Sequence, residues 1–217
     1  MTSRRLFLIG LSTLALGACS STRTTTRRAN VIDVDEPWAS YYAAAPGEPF
    51  PVPGVDLRRV PRQFWRQQVA YPGRDAPGTI VVNTSERYLY LVQPGGTAMR
   101  YGVGVGREEG LNFRGTAIIG RKAAWPGWTP TANMIRQQPE RYARYAGGLP
   151  GGPGNPLGAR ALYLYRGGKD THFRLHGTVE PYTIGQSVSS GCIRLMNQDI
   201  IDLYGRVRTG TRVVVLS

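Results

Sequence analysis

His176-Gly177-Thr178 and Ser189-Ser190-Gly191-Cys192-Ile193-Arg194-Leu195 are the two segments on which the reading turns, with Cys192 sixteen positions after His176. Both lie where a strand-like run meets glycine. The polar loop between them carries Pro181 and Gly185, so the chain can return and bring thiol and imidazole together. The pairing has a chemical use. A free thiol, with a reference pKa near ~8.5, is mostly protonated at neutral pH, and only the thiolate attacks well. An imidazole beside it takes that proton and hands it to a leaving amine. Attack on an amide carbonyl creates an oxyanion that backbone N–H groups must meet, and a glycine before the nucleophile lets them come close. The amides of Gly191 and Cys192 are the candidates for that hole.

Outward from this pair the chain is rich in strands. Thr79-Ile80-Val81-Val82-Asn83 and Arg87-Tyr88-Leu89-Tyr90-Leu91-Val92, on either side of Thr84-Ser85-Glu86, predict a hairpin. Met99 to Val105, Thr116 to Arg121, Ala161 to Tyr165, His172 to His176 and Arg212 to Leu216 read as further strands. By the period of two, His172 and His176 share one side of theirs. Helix signals are few. Pro139 cuts Thr131 to Tyr145 into two short pieces. Asn197 stands where it can cap a helix through Tyr204, ending at Gly205 or Gly210, with Ile200, Leu203, Tyr204 and Val207 on one core-facing side. Gly147 to Gly158 reads as loop. Trp125 and Trp128 read as a loop over a cleft, and Arg141 and Arg144 as cations available to carboxylates. The expectation is a mainly β fold with one or two helices, without an internal repeat.

The N-terminus has the three parts of an export signal: Arg4 and Arg5, an apolar run from Leu6 to Leu16, and Leu16-Gly17-Ala18-Cys19. The run is too short to span a bilayer as a helix. Its last four residues resemble a lipobox, in which Cys19 takes a lipid and anchors the chain to a membrane. Ser3-Arg4-Arg5-Leu6-Phe7-Leu8 resembles a twin-arginine signal, and Ser20 after the cysteine fits outer-membrane sorting. Residues 1–19 are thus read as leader, 20–77 as a tether followed by an extension that wraps the domain surface, and 78–217 as the folded domain. The expected location is the periplasm or cell envelope. Cys192 is then left unpaired in an oxidising compartment.

Lysine and arginine number 27 against 14 acidic residues, a formal net charge of +13. Such a balance points to polyanions. With no zinc-finger spacing and no aromatic RNA-binding motif, nucleic acid is set aside in favour of an acidic polymer. No Cys-x-x-Cys pair accompanies the histidines, so no closed metal site is predicted. Gly102, Gly104 and Gly106 lack the spacing of a dinucleotide loop.

At these residues the sequence resembles the L,D-transpeptidase catalytic domain of the YkuD/ErfK type. Ser189-Ser190-Gly191-Cys192-Ile193-Arg194 fits the family motif Ser-His-Gly-Cys, an apolar residue, then Arg or Asn, except that Ser190 stands where the motif has histidine. Tyr101-Gly102-Val103-Gly104-Val105-Gly106, Asn155-Pro156-Leu157-Gly158 before Ala161-Leu162-Tyr163-Leu164, and His176-Gly177-Thr178 with Pro181 resemble further family segments. The resemblance implies a β-sandwich-like mixed sheet. It implies Cys192 as nucleophile, His176 as base, a backbone carbonyl near Gly177 orienting the imidazole, Arg194 holding the loop or a substrate carboxylate, and Ser189 and Ser190 meeting substrate. Its substrates are peptidoglycan tetrapeptide stems, cleaved after diaminopimelate with release of D-alanine, without metal or organic cofactor. The acyl group passes to another stem, to the amine of a lipoprotein or outer-membrane protein, or to water; the last would make a carboxypeptidase. The contrasting expectation, for which Ser190 speaks, is a non-catalytic peptidoglycan-binding lipoprotein.

Overall fold

The computed structural model describes residues 37–107, 113–189 and 191–216. The leader with Cys19, the tether up to residue 36, and Ser190 lie outside the described residues. The predicted hairpin forms from β2 (Ile80–Asn83) and β3 (Tyr88–Gln93), with Ile80 opposite Leu91 and Val82 opposite Leu89. The three β-branched residues of β2 are all buried, as a strand covered on both faces requires. β3 continues into β4 (Thr97–Gly102), and β2 also takes β11 (Arg212–Leu216) in parallel. Beyond β11 follow β6 (Gly115–Ala124), β7 (Arg160–Arg166), β8 (Lys169–His176) and β10 (Ile193–Arg194). With β1 (Gln67–Ala70) at the other edge, the order among the described residues is β1-β4-β3-β2-β11-β6-β7-β8-β10, a mixed sheet. A second, small sheet pairs β5 (Val105–Gly106) with β9 (Ser187–Ser189).

The expected Met99 to Val105 strand is therefore two elements, β4 and β5, parted at Val103-Gly104. The break has a use. Gly104 exchanges both backbone hydrogen bonds with Arg194 at 2.9 Å, so the segment after β4 meets β10 and the sheet curls back on itself. The curl encloses one core, in which Leu89, Ile119, Leu162 and Leu175 meet Ile200 and Leu203 of a helix. Each such side chain contributes about 1.5–3 kcal/mol by leaving water.

That helix, α4, runs Asn197–Arg206 and buries Ile200 and Leu203, as the spacing predicts; it passes Gly205 and stops at Val207. Asn197 does not cap it. Its Oδ1 accepts the Ala159 amide at 2.9 Å instead, tying the helix start to the head of β7. The short helices are α1 (Trp38–Tyr41), α2 (Ala132–Gln137) and α3 (Pro139–Tyr142). The break before Pro139 falls at Gln138, whose φ of −141° and ψ of 68° lie outside the helical region that a following proline disfavours. Thr131 Oγ1 caps α2 by accepting the Met134 amide at 3.1 Å.

The N-terminal segment builds its own cluster. Tyr42, Leu57, Phe64 and Trp65 pack with Ile184 and Met196, the residues that lead into and out of the cysteine loop. Polar contacts fasten it to α4. Tyr42 Oη donates to Asp199 Oδ2 at 3.2 Å, and Arg66 Nη1 pairs with Asp202 at 3.1 Å. Among the described residues no helix is long and apolar enough to cross a membrane.

Candidate active site

The parallel pairing of β8 with β10 sets the geometry. Arg194 lies beside His176 and Ile193 beside Leu175, and the Leu195 amide donates to the His176 carbonyl at 2.8 Å. Parallel neighbours need a crossover. Here it runs through a 3₁₀ turn at Pro181–Thr183 and then β9. It delivers Cys192 two residues ahead of Arg194, so Cys192 and His176 line one cavity of about 300 Å³.

His176 is buried, and its Nδ1 lies 2.6 Å from Gly177 O. A carbonyl only accepts, so Nδ1 carries the hydrogen and Nε2 is left with a free lone pair. Burial, helped by the charge of Arg194, pushes the imidazole down to about 3. Burial also pushes the Cys192 thiol up, against the opposing pull of the Arg174 amide and the Arg174 and Arg194 charges. At neutral pH the couple therefore rests as thiol and neutral imidazole. Gly177 itself has no room for a side chain: a Cβ there would strike Asn197 Oδ1.

Ser189 pins the turn before the cysteine. Its Oγ donates to Cys192 O at 2.6 Å and accepts the Gly191 amide at 3.1 Å. Gly191 has φ +118°, a conformation that favours glycine. Two expectations change in consequence. Ser189 is buried with its hydroxyl spent on the turn, and the Gly191 N–H is already engaged. The amide left without a partner among the described residues is that of Cys192. Arg194 holds the loop: its Nη1 reaches Glu180 Oε2 at 3.0 Å.

The alternation that would put His172 and His176 on one side is interrupted. Tyr163 pairs with Arg174 and Tyr165 with Asp170, so Thr171, His172 and Phe173 stand opposite Leu164 alone. Asp170 secures this bulge by accepting the His172 amide at 2.8 Å and binding Arg174 through both oxygens at 2.7 and 2.9 Å. His172 takes φ +63°, its side chain exposed, and its carbonyl faces Cys192 Sγ at 3.9 Å. Bulges of this kind re-aim groups beside reactive sites. Nothing in the residue types from 169 to 176 announces it except the short polar pair Asp170-Thr171.

Trp128 and Trp125 part company. Trp128 and Cys192 both line the first cavity and a second of about 560 Å³ that Arg107, Arg121, His172 and Arg174 also help to line. Tyr142 and Tyr145 meet the Trp128 ring edge-on at 6.1 and 6.0 Å. Trp125 turns to the N-terminal segment, edge-on to Phe50 at 5.0 Å, with Nε1 donating to Glu48 at 3.0 Å. Arg141 and Arg144 line the first cavity without a carboxylate partner among the described residues. Among the described residues no group of three His, Cys, Asp or Glu converges as a metal would need.

Residues 77–215 match the family profile described as YkuD, L,D-transpeptidase catalytic domain. The chain is 38% identical over 154 residues to the probable L,D-transpeptidase ErfK/SrfK of Escherichia coli, covering 69% of this chain and 47% of that protein. It is 35% identical over 174 residues to the probable L,D-transpeptidase YbiS of the same organism, covering 74% and 52%. The chain thus spans about half the length of these two relatives. A solved structure from Brucella melitensis, described as a probable carnitine operon oxidoreductase, is 51% identical with a TM-score of 0.50, covering 74% of this chain and 99% of that one. That description differs in kind from the others. The profile match over residues 77–215 settles the relationship: the chain belongs to the YkuD family of L,D-transpeptidase catalytic domains.

Proposed function

We propose that the protein is a cell-envelope L,D-transpeptidase acting on peptidoglycan stems. The observation that carries the reading is the 2.6 Å contact of His176 Nδ1 with Gly177 O in the cavity that Cys192 lines, which leaves Nε2 as the free base. Nε2 takes the thiol proton as Sγ bonds to the diaminopimelate carbonyl. The Cys192 amide stands ready for the oxyanion; a donor of that kind supplies about 2.7–4 kcal/mol. Collapse breaks the C–N bond, and His176 returns the proton to the departing D-alanine amine. An acceptor amine then attacks the thioester, gives its proton to His176, and the thiolate leaves and is reprotonated. Because burial disfavours a standing thiolate, deprotonation accompanies attack rather than preceding it.

Arg141 and Arg144 supply charge for the stem carboxylates. Export and lipidation at Cys19 would hold the domain against its polymer in the periplasm, and the boundaries 1–19, 20–77 and 78–217 belong to this proposal. The test is incubation with purified muropeptides, followed by product masses. D-alanine together with a crosslinked dimer supports stem-to-stem transfer. D-alanine with a tripeptide identifies water as acceptor. Absence of turnover with reduced Cys192 would leave a binding protein.

A further inference from the structure

A third cavity, of about 310 Å³, adjoins the one over His176 and has no part in the chemistry above. Thr178 and Val179 line both. Its other walls include Pro53 and Val55 of the N-terminal segment, Trp125, Tyr182, Asn197 and Gln198. In a chain of net charge +13, none of its lining residues is charged, whereas the His176 cavity carries Arg141, Arg144, Glu180 and Arg194.

The walls are held in place. Trp125, at φ +45°, packs edge-on against Phe50 and donates to Glu48, which also pairs with Arg160 at 2.6 Å. The Arg59 guanidinium lies 3.5 Å over the Tyr182 ring. Two polar groups are left over. Gln198 spends Nε2 on the Pro53 and Ala43 carbonyls, and Asn197 spends Oδ1 on the Ala159 amide. Gln198 Oε1 and Asn197 Nδ2, an acceptor and a donor, make no hydrogen bond among the described residues. The occupant that fits is neutral, with apolar faces and both a donor and an acceptor. A carboxylate-bearing peptide does not meet that description.

We infer that this cavity is a saccharide subsite, which receives the N-acetylated amino sugar bearing the donor stem. The inference rests on the acyl-transfer reading. Three stem residues separate the scissile carbonyl from that sugar, about 10 Å when extended. A stem leaving Cys192 past His176, Thr178 and Val179 puts its carboxylates in the charged cavity and its only neutral, polyhydroxylated end in the uncharged one. Binding energy taken up there, away from the reacting bond, favours the sugar-bearing donor.

The experiment compares D-alanine release by the full chain from a disaccharide tetrapeptide and from the free tetrapeptide. Wild type should show a kcat/KM about tenfold or more higher for the sugar-bearing donor. Val55→Trp, which fills the cavity, and Trp125→Ala, which removes a wall, should each abolish that preference while the free tetrapeptide rate stays unchanged, which also reports an intact fold. Equal kcat/KM for the two donors in wild type, or losses in the variants that fall alike on both donors, would overturn the subsite alone. Failure of wild type to turn over either donor would overturn the acyl-transfer reading, and the subsite with it.

Discussion

Arg194 stands directly beside His176 in the parallel pairing of β10 with β8, and this register carries Cys192 to the cavity that the imidazole lines. A slip of one residue would turn every β10 side chain to the other face. The backbone bonds from Leu195 to His176 and between Gly104 and Arg194 prevent it.

His176→Ala should lower kcat by about 10²–10⁴-fold, the usual worth of a positioned base, with little change in KM. Steady-state D-alanine release measures both. A kcat within a few-fold of wild type would remove His176 from the reaction.

Ser189→Ala strips partners from Cys192 O and the Gly191 amide together. Leaving buried groups unpaired costs about 1–3 kcal/mol, so the denaturant midpoint should fall, and turnover with it as the turn loosens. An unchanged midpoint would show that Ser189 pins nothing.

Burial pushes the Cys192 thiol up and His176 down, so no preformed ion pair is expected. Alkylation by iodoacetamide, followed by mass on the Cys192 peptide, should climb with pH beyond the ordinary thiol range of about 8.5. A plateau already reached near neutrality would indicate a standing thiolate and contradict the neutral couple.

Asp199 gives a stability signature of its own. Burial raises its carboxyl to about 7 from an ordinary 3.8, with Arg66 and Tyr42 pulling down and Asp202 pushing up. Between those values the unfolded chain binds fewer protons at this site than the folded one, so its contribution is present below 3.8 and is lost as pH rises to about 7. His176 acts oppositely, because its folded value is depressed, adding stability as pH rises from about 3 towards 6.5. Asp199→Asn removes only the first effect. Denaturation at about pH 5 and about pH 8 should show the variant gaining on wild type at the higher pH. Equal differences at both would contradict a raised Asp199.

Much of the site is legible because its signals are local. Gly191 before Cys192 reports a backbone conformation, and the periodicity of Ile200, Leu203 and Val207 reports a buried helix face. The β2–β3 hairpin follows from two β-branched and aromatic runs with a turn between them. What escapes is tertiary. β1 has polar residues and becomes a strand only because β4 offers it an edge. Asn197 looks like a cap until the head of β7 takes its oxygen. The bulge at Thr171-His172-Phe173 depends on Asp170 meeting Arg174, and the commitment of the Gly191 amide depends on the fold of Ser189 over it. Trp125 and Trp128 share one loop, yet Trp125 is held by Glu48, far away in sequence, while Trp128 lines the cavity with Cys192.

The most direct test is to stop the reaction with tetrapeptide stems during turnover and map the protein by mass. A tripeptidyl adduct is expected on the peptide containing Cys192 and should be absent from Cys192→Ala, which should also release no D-alanine. Undiminished D-alanine release by Cys192→Ala, or an adduct on any other residue, would contradict Cys192 as the nucleophile.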